Sequence, residues 1–423
     1  MKHAADDPAF VPSAPVEVVV ETGWRTPLLA GALLMALGVA LGSGLRAPLA
    51  PVAALAPQPA PAAPEPSPAP VATPAPEAPP ARPVLEVVFV VDATGSMGGI
   101  LRAAREKVWT IADALLARPG TPALAFGLVS YRDQGDEYVA RVDQAPSLDL
   151  DGFYAALSGL RAQGGGDEPE AVDAALEAAL GPLSWSWLSH DPLPGTARAI
   201  VLVGDAPPHA QRLARTLELV GEARARGVAV HTVYCGEDEP TAALFARLAV
   251  LGGGVPARLE LQPRVVALST PHDEALARLQ RELEATALPF GAPGQQAALQ
   301  SKQAANERLG AEAWAARASV NCKSGAGYSE DLLQALEDGR LKLTSWEPSQ
   351  TELAAPLRGL ELAALRADLQ VRLDTRRTLR ALIAAEVAAR DAWLRDSGRL
   401  SQDPLTRTIV RALLRQLGVA EGC

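Results

Sequence analysis

The sequence predicts an α/β protein: a doubly wound, mainly parallel sheet, with an N-terminal transmembrane helix and a C-terminal α-helical region. Three observations carry this expectation. Apolar runs too continuous for a half-exposed strand alternate with amphipathic helices between residues 84 and 251. Residues 26–45 form twenty uncharged positions, "TPLLAGALLMALGVALGSGL". After about residue 290 the strand patterns stop and helix formers take over. Uninterrupted Val/Ile/Leu strands with helical crossovers indicate a parallel sheet covered on both faces.

In chain order, residues 1–25 are an N-terminal tail. The run from 26 to 45 matches the length of a bilayer-spanning helix at about 1.5 Å per residue and shows no polar face. It reads as an uncleaved single-pass anchor, with the bulk of the chain extracytoplasmic; a cleaved signal peptide is the alternative. Residues 46–83 are Pro/Ala-rich, with 14 prolines between positions 48 and 83, a composition that forms neither helix nor sheet and serves as a semi-rigid spacer.

The folded part begins at Val84. "VLEVVFVVD" is a buried strand, and Gly98 to Ala117 an amphipathic helix closed by Pro119-Gly120. "ALAFGLVSYRD" is the next strand, and "DEYVARVDQA" alternates as an edge strand does. Leu148–Ala162 and Pro169–Leu180 read as helices, "ARAIVLVGD" as a strand, Gln211–Arg226 as a helix and "GVAVHTVYC" as a strand. Thr241–Leu251 closes a further unit, and one domain is drawn over 84–290. Residues 295–423 read as a helical hairpin or coiled segment, with Leu362, Leu365 and Leu369 on one stripe.

Composition narrows the function. A net charge of −10 argues against nucleic acid as partner. Three cysteines, scattered at 235, 322 and 423, make neither a disulfide framework nor a zinc site. The chemistry gathers instead at strand ends, where open parallel sheets bind ligands. Asp92-Ala93-Thr94-Gly95-Ser96 follows the first strand, "GGGDEPEA" precedes a helix and supplies Asp167 and Glu168, and Asp205 ends "IVLVGD". Converging carboxylates repel one another unless a cation joins them. Oxygen groups without His or Cys suit Mg²⁺, Mn²⁺ or Ca²⁺. A capped turn is the plain alternative for Asp92 taken singly. A dehalogenase-type nucleophile would need a second Asp at position 94, which is Thr, and the "GGGD" loop lacks the Gly-Lys-Ser/Thr ending of a phosphate-binding loop.

At these residues the chain resembles the von Willebrand factor type A family, whose Rossmann-like fold would span residues 84–290. "DATGS" is similar to that family's Asp-x-Ser/Thr-x-Ser metal-ion-dependent adhesion motif. "YRDQGDEYVARV", "GGGDEPEAV" and "VLVGDAPPH" together resemble a bacterial subgroup. The resemblance implies that Asp92, Thr94 and Ser96 form the first metal loop and Asp205 the third. The family's second loop usually supplies a Thr; here Asp167 stands as the substitute, with Glu168 as alternative. It further implies binding, not turnover: an acidic residue of a protein partner completes the metal's coordination. His209 reads as a cap or surface residue. The expected function is a membrane-anchored, metal-dependent protein-binding module. The alternatives are a metal-assisted hydrolase using the same carboxylates, with His209 or Glu168 as base, and a structural envelope protein with a stabilising metal.

Overall fold

The computed structural model describes residues 84–117, 123–166, 168–181, 185, 196–259, 269–397 and 404–417. The expected anchor at 26–45 and spacer at 46–83 lie outside these. Among the described residues no helix is long and apolar enough to cross a membrane.

The elements run β1 (Val84–Asp92), α1 (Gly98–Leu116), β2 (Ala123–Tyr131), β3 (Ala140–Ser147), α2 (Leu150–Gly159), α3 (Val172–Leu180), β4 (Ala197–Gly204), α4 (Leu213–Ala225), β5 (Val228–Tyr234), α5 (Glu239–Leu251), β6 (Gly253–Arg258) and α6 (Asp273–Glu284). Five further helices follow: α7 (Pro293–Asn306), α8 (Ala311–Ser324), α9 (Leu332–Glu337), α10 (Leu362–Asp396) and α11 (Pro404–Gln416). The six strands form one sheet in the order β3-β2-β1-β4-β5-β6. Only β3 is antiparallel, against β2. The α/β class and the mainly parallel sheet are therefore as the apolar runs predict.

Residues of β1 alternate between two cores, as the period of two requires. Leu85, Val87 and Val91 join α1 and α2 side chains such as Trp109, Phe153 and Leu157 on one face. Val88 and Val90 join Leu176, Val220, Phe245 and Leu248 from α3, α4 and α5 on the other. The strand order reverses about β1 and β4, so the carboxyl ends of these two strands bound a topological switch point.

Two elements differ from expectation. A sixth strand, β6, pairs with β5; its sequence "GGVPAR" has no apolar run, and Pro is tolerated there because the strand lies at the sheet edge. The helices beyond residue 290 are not a separate hairpin. Trp314, Ala316 and Val320 of α8 and Ile409, Leu413 and Leu414 of α11 lie in the same buried cluster as α1 and the first face of the sheet. A second, smaller cluster joins Leu288, α9 and the start of α10 through Leu332, Leu333, Leu365 and Leu369.

Ion pairs tie the later helices to the earlier ones. Arg390 of α10 binds Asp113 of α1 at 2.8 Å and Asp273 of α6 at 3.1 Å. Lys302 of α7 binds Asp149, the cap of α2, at 2.5 Å and Glu330 at 2.6 Å. Arg317 of α8 is 1% exposed and binds Asp151 of α2 through two nitrogens, at 2.7 and 3.1 Å. It also reaches Glu284 at 3.1 Å and the Tyr328 hydroxyl at 2.9 Å.

His231 of β5 gives the fold a pH dependence. Its Nδ1 accepts the Val255 N–H at 3.0 Å, a bond that needs the ring unprotonated there. Burial pulls its pKa down to about 4, against a weaker opposing effect of Gln416. The folded state thus holds the ring neutral while the unfolded chain takes up a proton below pH 6.5. Stability from this residue is full above pH 6.5 and lost as the pH falls towards 4, a change on the order of 3 kcal/mol. We predict that His231→Asn flattens urea-midpoint stability between pH 6.5 and 4; an unchanged slope would show that other groups set it.

Candidate metal centre

The site is built from three loops at the switch point. Asp92 ends β1 and is wholly buried. Its Oδ1 accepts both the Thr94 N–H at 2.8 Å and the Thr94 hydroxyl at 2.6 Å. This closes a tight turn before the Gly95–Met97 turn of 3-10 helix and α1. The Ser96 hydroxyl, exposed, lies 3.3 Å from that of Thr94. Asp92 Oδ2 is buried and has no hydrogen-bond partner among the described residues.

Asp205 follows β4 directly, two residues after Val203, which pairs with Val91 at the end of β1. Asp205 is half-buried, and its Oδ1 likewise has no partner among the described residues. Gly204 leaves room for the Tyr131 hydroxyl, with which a Cβ there would collide, while Asp92 Oδ2 would lie at ordinary contact distance, 3.5 Å.

The second loop is pinned to the first by backbone bonds, Gln163 N–H to Ala93 O and Gly95 N–H to Gly164 O, both 3.0 Å. Gly164 and Gly165 have φ of +81° and +74°, a left-handed conformation that glycine adopts without strain. A Cβ on Gly165 would also lie 3.0 Å from Thr94 Cβ and 3.1 Å from Glu170 Oε1. The run of glycines is thus what lets this loop lie against the first. Asp167, the expected second-loop ligand, lies outside the described residues, and Glu168 is exposed.

The residue that sequence reasoning missed is Glu170. It is 3% exposed, its N–H donates to Pro207 O at 2.9 Å, and it bridges to Pro208, so the second loop is stitched to the third. Its Oε2 is buried without a partner among the described residues. The only signal in the sequence was a third carboxylate at the end of "GGGDEPE", immediately before a helix.

These three carboxylates, Asp92, Glu170 and Asp205, act on one another through their charge. Burial pushes Asp92 up to about 7, against the hydrogen bonds from Thr94 and with a smaller push from Asp205. Burial also pushes Glu170 up to about 8, helped by Asp92, Asp133, Asp136 and Asp205. The buried Tyr131 phenol rises well above its usual value, first by burial and then through Asp92, Glu170 and Asp205. Among the described residues no three His, Cys, Asp or Glu side chains are gathered to the spacing of a metal centre. The oxygen groups that could hold a hard cation here are mixed: Asp92 and Asp205 with the hydroxyls of Thr94 and Ser96.

His209 does not cap the turn it precedes. Its Nε2 lies 2.6 Å from Asp133 Oδ1, and Asp133 is buried beside Arg132 in the loop after β2.

A family model described as "von Willebrand factor A domain" matches residues 86–237, from β1 through β5 to the loop before α5. Residues 86–237 form a von Willebrand factor A domain. Over 98 residues the chain is 37% identical to von Willebrand factor A domain-containing protein 7 of Rattus norvegicus, and 35% identical to its Homo sapiens counterpart. Each match covers 23% of this chain and 10% of the relative, so the chain spans about a tenth of the length of these relatives. A solved von Willebrand factor type A structure from Catenulispora acidiphila is 20% identical, with a TM-score of 0.32, covering 42% of this chain and 39% of that one. The three loops of the candidate centre all fall inside the von Willebrand factor A domain.

Proposed function

We propose that this chain is a membrane-anchored, divalent-cation-dependent protein-binding module, held to the bilayer by residues 26–45, with its von Willebrand factor A domain extracytoplasmic. One observation carries the reading. Two buried carboxylate oxygens, Asp92 Oδ2 and Asp205 Oδ1, stand at the switch point with no hydrogen-bond donor among the described residues. Leaving buried charge uncompensated is costly, and a cation is the simplest compensation. Asp92, Thr94, Ser96 and Asp205, completed by a carboxylate of the second loop for which Asp167 is the sequence candidate, would hold Mg²⁺, Mn²⁺ or Ca²⁺, whose remaining positive field would draw an acidic side chain of a partner protein.

In this reading the chain's own residues position and do not react. The Thr94 bonds fix Asp92 Oδ1 and leave Oδ2 free to face the cation. The His209–Asp133 pair is the feature a hydrolase reading would draw on, since an oriented imidazole can move a proton.

Crosslinking in native membranes separates these readings. With Mg²⁺ present, the wild-type chain and His209→Ala are expected to give the same crosslinked product; chelator or Asp92→Ala is expected to abolish it. A product that survives chelation and Asp92→Ala would sink the cation-dependent module. Loss through His209→Ala with the Mg²⁺ response intact would favour the hydrolase.

A further inference from the structure

The second loop of the candidate centre departs from the family's pattern, and Glu170 occupies the place where that departure has a consequence. Its backbone is fixed by the bond to Pro207 O and the bridge to Pro208, so the residue cannot drift away from the third loop. Its Oε1 and the Thr94 side chain flank the same point above Gly165, at 3.1 and 3.0 Å from a Cβ placed there. Its Oε2 is buried and unpartnered among the described residues, as are Asp92 Oδ2 and Asp205 Oδ1. The buried Tyr131, which hydrogen-bonds Val203 O near the end of β4, contributes no charge to balance them. Arg132, whose carbonyl accepts the Ala171 N–H at 3.3 Å, directs Nη1 to Glu137 at 3.3 Å and Nη2 to Arg161 O at 3.1 Å, while its buried Nε has no partner among the described residues.

We propose that Glu170 supplies the negative charge of the second loop to the cation site, as a positioning carboxylate and not a direct ligand. The proposal rests on the cation-binding reading above. A direct bond is not assigned, because three carboxylates are not gathered to metal-centre spacing among the described residues. Mg²⁺ and Mn²⁺ sites commonly keep several waters and use few direct carboxylates, and outer carboxylates then set much of the affinity. The consequence is specificity: a site flanked by three carboxylates favours divalent over monovalent cations and leaves less net positive field for a partner's acidic residue.

Glu170 is an isosteric target for the test. Mn²⁺ binding to the full chain in detergent, followed by electron paramagnetic resonance at two salt concentrations, is compared for wild type, Glu170→Gln, Asp167→Asn, Glu168→Gln and Asp92→Asn. Glu170→Gln is expected to weaken Mn²⁺ binding roughly 10–100-fold, with a smaller loss at high salt. Above pH 8, where the Glu170 carboxyl is ionised, it should also raise the melting temperature in chelator, because it removes an unbalanced buried charge; a residue needed only for the fold would lower it. Glu168→Gln should bind as wild type. If Glu170→Gln keeps wild-type Mn²⁺ affinity while Asp92→Asn loses it, or if Asp167→Asn carries the loss instead, the proposal is overturned and the metal site stands. If wild type and Asp92→Asn do not differ, the cation reading itself fails.

Discussion

Arg317→Ala is expected to destabilise the folded chain by about 3–5 kcal/mol, the cost of stranding buried charges by removing their partner. Arg317 lies on α8, outside the von Willebrand factor A match, and its partner Asp151 lies on α2, inside it. The guanidinium bonds Asp151, Glu284 and Tyr328 and packs over the rings of Trp109, Trp314 and Tyr328 at 5.2–5.7 Å. Tyr328 in turn donates to Glu284, and Asn306 Nδ2 donates to Asp151 at 3.0 Å. Alanine would leave two buried carboxylates against a short residual network. Replacing Arg317 and Asp151 together, Arg317→Met with Asp151→Leu, should restore part of the loss, since it removes one of the two stranded carboxylates and leaves only Glu284. Urea unfolding followed by circular dichroism measures both. A loss under about 1 kcal/mol for Arg317→Ala would mean that the network adjusts around the gap and does not join the two halves.

Asp92→Asn is expected to act in the opposite direction in chelator. The folded state holds the Asp92 pKa at about 7, above its ordinary 3.8, so the folded protein retains a proton that the unfolded chain releases. For the wild type in chelator, stability should therefore rise as the pH falls from about 7 towards 4, and above pH 7 the ionised carboxylate should cost on the order of 4 kcal/mol. Asn cannot ionise, so the variant should be more stable than wild type at pH 8 and lose that part of the pH dependence. It should also lose the rise in melting temperature on adding Mg²⁺. Differential scanning calorimetry at pH 5 and 8, with chelator or Mg²⁺, tests all three. A variant less stable than wild type at pH 8 in chelator would show that Asp92 serves the turn more than it strains it. His231 works against Asp92 at acid pH, so the comparison is between variant and wild type at each pH.

What the sequence disclosed follows from where burial is two-sided. β1, β2, β4 and β5 are buried on both faces and so read as continuous apolar runs; β6, at the edge with Gly and Pro, carries no such mark. Asp92, Thr94, Ser96 and Asp205 were legible because the end of a parallel strand is a place that topology assigns to ligands. Glu170 was not, because its position depends on the second loop folding back to pair with Pro207 and Pro208. The docking of α8 and α11 was equally hidden. An amphipathic stripe shows that a helix has a face to bury, not which surface will cover it. Arg317 reads, in sequence, like any charged residue on a helix.

That docking sets an order in time. Residues 404–416 complete the face of the sheet that residues 85–91 and 197–203 begin, and α11 packs directly against β4 and β6. At synthesis rates of about 5–20 residues per second, the roughly 200 residues between the end of β4 and the start of α11 take some 10–40 s to emerge. Through that interval the nascent sheet has one incompletely covered apolar face. Until α11 emerges, such a chain exposes apolar surface to which holding chaperones can bind.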